Sequence, residues 1–204
     1  MEKGNLSLDL LTAIWEDNVT QVKELLSSGA DPNIVLRKKV VYTFCGYFDV
    51  RCISQVFFLP PFPCMPQYPL KDEISPASKE IISLLLEAGT DLNPKASEEE
   101  PRCPVHIVVM AGFTEILTLM LKYGVDINLP DLNGCTPLHL VVRLNNIEMA
   151  KILTNANADL DAKDEDGFMP IAFASGEMKE MLLVAGASYQ ELPPPMPNPF
   201  FYEV

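Results

Sequence analysis

The sequence predicts an all-α solenoid of about five helix-turn-helix repeats, with short hairpins and one irregular insertion. The first observation is a fixed period, because Pro104, Pro137 and Pro170 stand 33 residues apart. The second is a glycine, once replaced by an asparagine, that follows each apolar run. A period of this length indicates stacked units that bury their apolar faces only against neighbours. The third is a hydrophobic fraction of 48% in 204 residues, which suffices for a core.

The units around the three prolines follow one local plan. Residues 136–139 read Thr-Pro-Leu-His, and residues 103–106 and 169–172 are drifted copies. Proline suits the first turn of a helix, where its missing amide is not needed. Gly112 predicts a break before a second helix in one unit, and the pair Asn145-Asn146 predicts it in the next.

A turn of the Gly-Ala-Asp type closes each unit. Glycine at a helix end adopts the left-handed conformation at little cost, and asparagine is the next best residue there. The Asp-x-Asn or Asp-x-Asp that follows can cap backbone groups. The turns begin at Gly29, Gly89, Gly124, Asn157 and Gly186.

The outer units depart from this plan. The first has a helix pair, predicted at residues 10–15 and 20–26, but no proline motif, as expected of an N-terminal cap. In the second we predict one clear helix at residues 79–87, while Pro76 should interrupt the helix before it. The last unit is four residues short, and we expect Gly176 to truncate its first helix and the unit to be a C-terminal cap.

The insertion lengthens the chain between Gly29 and Gly89 to 60 residues, 27 more than one period. Residues 34–67 are rich in aromatic, β-branched and proline residues. A membrane span needs about 20 uninterrupted apolar residues, and Asp49 with Arg51 divides this segment. Three interpretations stay open: an elongated hairpin along the flank of the stack, a poorly ordered inserted segment such as a splice-derived one, or a docking element for an apolar partner.

The 33-residue period and the Thr-Pro-Leu-His tetrapeptide resemble the ankyrin-repeat family, most specifically from Cys103 to Gly167. The resemblance implies a non-catalytic protein–protein interaction scaffold. It also implies that His106 and His139 bond backbone groups of the neighbouring turn and tie repeats together. We therefore divide the chain into an N-terminal ankyrin repeat (1–33), the insertion (34–67), ankyrin repeats with a C-terminal cap (68–190) and a proline-rich tail (191–204).

Hairpin tips and first helices line one concave surface in such a scaffold, as the resemblance implies. Trp15 could equally be a packing residue of the cap, and the acidic tips could be merely solvated turns instead of a negative rim. The candidate contacts at first-helix ends are Trp15, Glu16, Met110, Arg143 and Leu144. Those at the tips are Asp131, Leu132, Asn133, Lys163, Asp164 and Glu165, with the acidic residues 98–100 as a further candidate.

The net charge limits the class of partner that we expect, and the cysteine content limits the cellular compartment. With 28 acidic and 15 basic residues the net charge is −13, so a broad nucleic-acid surface is not expected and a basic protein partner is favoured. Five cysteines at irregular spacing suggest reduced thiols and a cytoplasmic chain, with the nucleus as the other compartment. Acidic residues within residues 1–17 argue against a signal peptide or a membrane anchor there.

We expect no enzyme, cofactor or metal. Cys103 and Cys135 stand out of register with the two histidines, which disfavours zinc, and residues 131–134 and 164–167 miss the ligand positions of a calcium loop. No phosphate loop or nucleophile motif is present. The oligomeric state is unknown.

The alternative function is a substrate-adaptor or regulatory fragment of a larger multidomain ankyrin protein whose effector domain is absent. The tail, with prolines at 193–195, favours extended structure. Its Asn198-Pro199-Phe200 resembles short peptide ligands of adaptor domains. Equally, its two phenylalanines could cover the apolar edge of the last repeat.

Overall fold

The computed structural model describes residues 3–33, 35–36, 50–51, 75–94 and 102–190. Apart from two strands of two residues each, these residues form stacked helices, which confirms the predicted all-α fold class. None of the described helices is long and apolar enough to cross a membrane. The elements are α1 (Lys3–Trp15), α2 (Val19–Ser27), β1 (Val35–Leu36), β2 (Val50–Arg51), α3 (Pro76–Glu87), α4 (Pro104–Met110), α5 (Thr114–Lys122), α6 (Pro137–Arg143), α7 (Ile147–Asn155), a 3-10 helix (Pro170–Phe173) and α8 (Gly176–Val184).

Proline begins the first helix of each central repeat, as predicted. Pro104 and Pro137 are the first residues of α4 and α6, and Pro170 begins the 3-10 helix. Two of the second helices, α2 and α7, begin with an asparagine cap: the side chain of Asn18 accepts from the Gln21 amide, at 3.1 Å. Asn146 accepts in the same way from the amide three residues later, also at 3.1 Å. Such caps satisfy donors that the first helical turn leaves free.

The turns that close the units have the predicted left-handed backbone. The four glycines have φ between +80° and +102°, and Asn157 has φ +63°. The breaks inside the helix pairs use the same conformation, at Gly112 (φ +73°) and Asn145 (φ +53°). Asp17 (φ +52°) is the corresponding residue of the first pair. Asparagine and aspartate tolerate this conformation better than other non-glycine residues, which explains their presence here.

Two details of the helix predictions are wrong. Pro76 begins α3, three residues before the predicted start, because a proline at the first helical position needs no amide partner. The helix expected before Pro76 falls largely outside the described residues. Ser75 caps that helix by accepting from the Ser78 amide, at 2.9 Å. In the last unit the first helix is a single 3-10 turn that ends at Phe173, before Gly176, and Gly176 (φ +51°) opens α8 instead of truncating the preceding helix.

The core runs continuously through the stack. α1 packs on α2, α2 on α3, α4 on α6, and α6 on the 3-10 helix. One position, seven residues before each closing turn, is fully buried in four successive units. The residues at this position are Val22, Ile82, Leu117 and Ala150.

A row of side chains, here called the ladder, links one turn to the next. Asn33 accepts from the Asp91 amide at 2.5 Å, and Asn128 accepts from the Asp159 amide at 2.8 Å. Asn93 and Asp161 make the equivalent bonds. The first of these bonds joins the N-terminal repeat directly to the repeat at 75–94. The insertion therefore leaves the stacking of the two repeats intact.

The described residues of the insertion are two short strands. Val35 pairs with Arg51 and Leu36 with Val50, antiparallel, which is the pairing that the elongated-hairpin interpretation requires at its base. The other residues between 34 and 67 lie outside the described residues, as do the acidic residues 98–100 and the tail at 191–204. The interpretations of those segments stay predictions.

Candidate functional site

The first helices end in a row of equivalent residues. Trp15, Met110 and Arg143 are the last residues of α1, α4 and α6. Trp15 exposes 56% of its surface and Met110 is half-buried. The next position holds Glu16, which is exposed, and Leu144, which exposes 55%. Two large apolar side chains therefore face solvent at opposite ends of this row.

Asp131 and Asp164 lie inside their own turns. Each is 7% exposed. One oxygen of Asp131 accepts from the Asn133 and Cys135 amides, both at 2.9 Å. Asp164 accepts in the same way from the Phe168 amide, at 2.8 Å. These carboxylates brace the turns and present almost no surface, so they leave the set of candidate contacts.

The residues next to Asp131 and Asp164 in sequence form the exposed surface of the two described tips. Leu132 is 37% exposed, and Asn133, Lys163 and Glu165 are exposed. The Glu165 amide donates to the Asn133 carbonyl at 3.0 Å, which fixes the two hairpins side by side. The approach is close, since a Cβ added at Gly134 (φ +72°) would lie 2.8 Å from the Glu165 nitrogen.

Arg143 connects the first helix of one repeat to the hairpin of the next. Its Nη2 lies 3.3 Å from Oδ2 of the buried Asp164. Its guanidinium carbon lies 4.0 Å from the centroid of the Phe173 ring. An ion pair and a cation–π contact together hold the side chain, of which 42% stays exposed. Sequence reasoning missed Phe173 because no local spacing relates it to Arg143.

The two histidines are structural ties, as the resemblance implied. Nδ1 of His106 accepts from the Cys103 amide at 3.1 Å, so its Nε2 carries the proton and donates to the Cys135 carbonyl at 3.1 Å. His139 accepts from the Thr136 amide at 3.1 Å and donates to the Phe168 carbonyl at 3.0 Å. Each ring therefore closes its own first turn and reaches the next hairpin.

Burial sets the protonation of these rings. It lowers the pKa of His106 and of His139, and the hydrogen bonds to the Cys135 and Phe168 carbonyls oppose the shift less strongly. Protonation would also place a proton on Nδ1, opposite an amide donor. Both rings are therefore neutral at physiological pH and unsuited to acid–base chemistry.

The two described cysteines, Cys103 and Cys135, are buried. Burial raises the pKa of the Cys135 thiol, which keeps it protonated and unreactive. The thiol of Cys103 donates to the Pro94 carbonyl, at 2.9 Å. Among the described residues, no group of three or more His, Cys, Asp or Glu side chains is arranged to hold a metal ion.

Known proteins share this repeat. Residues 75–164 match the family model for ankyrin repeats, in three copies. An ankyrin repeat-containing protein (P1E11.10) of Schizosaccharomyces pombe is 32% identical over 110 residues, which cover 52% of this chain and 51% of the relative. Protein phosphatase 1 regulatory subunit 27 of Homo sapiens is 35% identical over 78 residues, covering 38% and 51%. Cyclin-dependent kinase inhibitor 2A of Monodelphis domestica is 33% identical over 107 residues, covering 52% and 60%.

The chain spans about half the length of these curated relatives. Ankyrin repeats are protein-interaction modules and are generally non-catalytic, so protein partners are implied. The period, the helix pairs, the histidine ties and the family match agree on one conclusion: residues 75–164 are ankyrin repeats, and the chain is similar to ankyrin-repeat proteins.

Proposed function

We propose that the chain is a non-catalytic scaffold that binds a protein partner on the concave face formed by hairpin tips and first helices. The observation that carries this proposal is the rigid connection of that face. The Glu165–Asn133 bond joins the tips, and the contact of Arg143 with Asp164 joins a first helix to them. A surface that is already ordered loses less conformational entropy when it binds.

The exposed side chains on this face suit an interface. Tryptophan and arginine are the residue types most enriched among binding hot spots, and Trp15 and Arg143 both lie at first-helix ends. Leu144 and Leu132 add apolar area. Exposed apolar side chains elsewhere in the described chain, such as Tyr123 and Val184, lie at the ends of second helices and serve as matched controls.

We further propose that the partner is basic. The net charge of −13 would accelerate its association and repel anionic surfaces. In the described tips Asp131 and Asp164 are buried, whereas Glu165 and Asp166 are exposed and contribute to this charge. The attraction would therefore come from these exposed tip residues together with the net charge of the chain. It predicts an association rate that falls as the salt concentration rises.

A regulatory role within a larger protein is the second candidate. Two of the relatives are named as a regulatory subunit of a phosphatase and an inhibitor of a kinase, and each is matched over only part of its length. By analogy, this chain would control an enzyme by occupying its surface. The division of the chain into residues 1–33, 34–67, 68–190 and 191–204 remains part of this proposal.

Site-specific photo-crosslinking tests the binding face. A photoreactive amino acid would replace Leu144 or Leu132 in separate variants, with Tyr123 and Val184 as controls of similar exposure or more. We expect one protein to be captured from cell lysate by the first pair and not by the second, with less capture at high salt. The alanine variant of Trp15 should reduce the yield.

Equal capture at all four positions would contradict the concave face. Capture only at Tyr123 or Val184 would place the interface on the second helices. If the captured protein is an enzyme and its activity changes when the purified chain is added, the regulatory candidate is supported; if the activity is unchanged, a scaffold role is.

A further inference from the structure

The last repeat lacks the histidine on which the two repeats before it depend. In those repeats Nδ1 of His106 and of His139 accepts a hydrogen bond from the backbone amide of the residue just before the motif proline. The equivalent amide in the last repeat belongs to Met169. The equivalent side chain is that of Ala172, which can accept nothing. A donor at a helix start that loses its acceptor costs stability, so a replacement is needed.

Gln190 supplies the missing acceptor. Its Oε1 accepts from the Met169 amide at 2.5 Å, and its Nε2 donates to the Gly167 carbonyl at 3.1 Å. We propose that Gln190 replaces the absent histidine and closes the C-terminal end of the stack. The side chain arrives from the segment after the closing turn, 18 positions beyond Ala172 along the chain.

The position of Gln190 in its turn explains why it reaches backwards. In the preceding repeats the ladder residue is the fourth residue after the glycine or asparagine that begins the closing turn. There Asn128 reaches forward to the Asp159 amide, at 2.8 Å. Gln190 holds the ladder position of the last turn, where Ser188 already bonds to Asp161 at 2.7 Å. The glutamine side chain is one methylene longer than asparagine, and it turns back onto its own hairpin.

A second replacement supports the closure. The position seven residues before the closing turn is fully buried in the four preceding units. In the last unit it is Lys179, which is only partly buried and whose Nζ lies 4.8 Å from the Tyr189 ring centroid. The outer side of α8 therefore carries a charge where the inner repeats present an apolar contact. A further repeat in this register would have to bury that charge.

Amide hydrogen exchange tests the proposal in the full chain. We expect Gln190→Ala to increase the exchange rate of the Met169 amide about five- to tenfold, since it removes one hydrogen bond. The Thr136 amide, held by His139, is the internal reference and should not change. Adding Ala172→His to Gln190→Ala should restore the protection of Met169.

Unchanged protection of Met169 in Gln190→Ala would overturn the proposal, and so would lost protection that Ala172→His does not restore. Gln190→Asn provides a test that needs no new side chain in the core. It keeps the amide but shortens its reach by one methylene, so the Met169 amide should lose the same protection. Full protection in that variant would also overturn the proposed role.

Discussion

Gly134 and Gly167 form a matched pair that tests how closely the hairpins pack. Both occupy the same position in their turns, with φ of +72° and +82°. An alanine at either position suffers the same left-handed strain, roughly 1–2 kcal/mol. The surroundings differ, because a Cβ at Gly134 meets the Glu165 nitrogen at 2.8 Å whereas a Cβ at Gly167 has nothing within 4 Å.

The additional loss of stability at Gly134 follows from the distance between its added Cβ and the next hairpin. An ordinary Cβ contact begins at 3.4 Å, so the next hairpin would have to retreat by roughly 0.6 Å. That retreat would stretch the 3.0 Å bond between the Glu165 amide and the Asn133 carbonyl beyond hydrogen-bonding distance. Losing the bond costs about 1 kcal/mol, and overpacking in general costs about 1–3 kcal/mol. Gly134→Ala should therefore destabilise the chain by about 1–3 kcal/mol more than Gly167→Ala.

Urea unfolding of the two variants measures this difference, and thermal melts should show it as about 2–4 °C for each kcal/mol. Exchange of the Glu165 amide should accelerate in Gly134→Ala alone. Equal destabilisation by the two substitutions, with the Glu165 amide still protected, would refute the close approach of the hairpins. It would also remove the main support for a rigid binding face.

Two further predictions concern the free energy of unfolding, at low pH and after substitution of a ladder residue. Because the pKa values of His106 and His139 lie below 6.5, the unfolded chain binds protons first as the pH falls. The free energy of unfolding should then drop by up to about 1.4 kcal/mol per histidine for each pH unit below 6.5, and a urea midpoint that stays constant from pH 7 to 5.5 would contradict this. Asn128→Ala should cost about 1 kcal/mol in urea unfolding and expose the Asp159 amide to exchange, whereas Asn155→Ala, on the exposed side of α7, should cost nothing.

The fold could be predicted because the residues that mark each repeat are set by local backbone conformation. A proline at a helix start and a left-handed residue at its end depend on neighbours in sequence, so Pro137 and Asn157 could be interpreted directly. Pro76 was misjudged for the same local reason. A proline ends one helix or begins the next, and only the position of its cap, Ser75, decides between the two.

The candidate face was less predictable, because a period places a residue without giving the direction of its side chain. Asp131 and Asp164 stand at the tips in sequence but turn inwards to hold amides of their own turns. Leu132 and Glu165, beside them, carry the outer surface. The contact of Arg143 with Phe173 joins residues of different repeats, and no pattern within one repeat could have indicated it.

The histidine of the repeat illustrates what the stack requires and what it leaves free. His106 and His139 each perform two tasks, accepting a helix-start amide and donating to the next hairpin. The last repeat needs only the first task, since in the described chain no hairpin follows it. Gln190 meets that need from a different place in the sequence. Each repeat therefore needs a hydrogen-bond acceptor for the amide that precedes its motif proline. A histidine is needed only where the same side chain must also bond to a following hairpin.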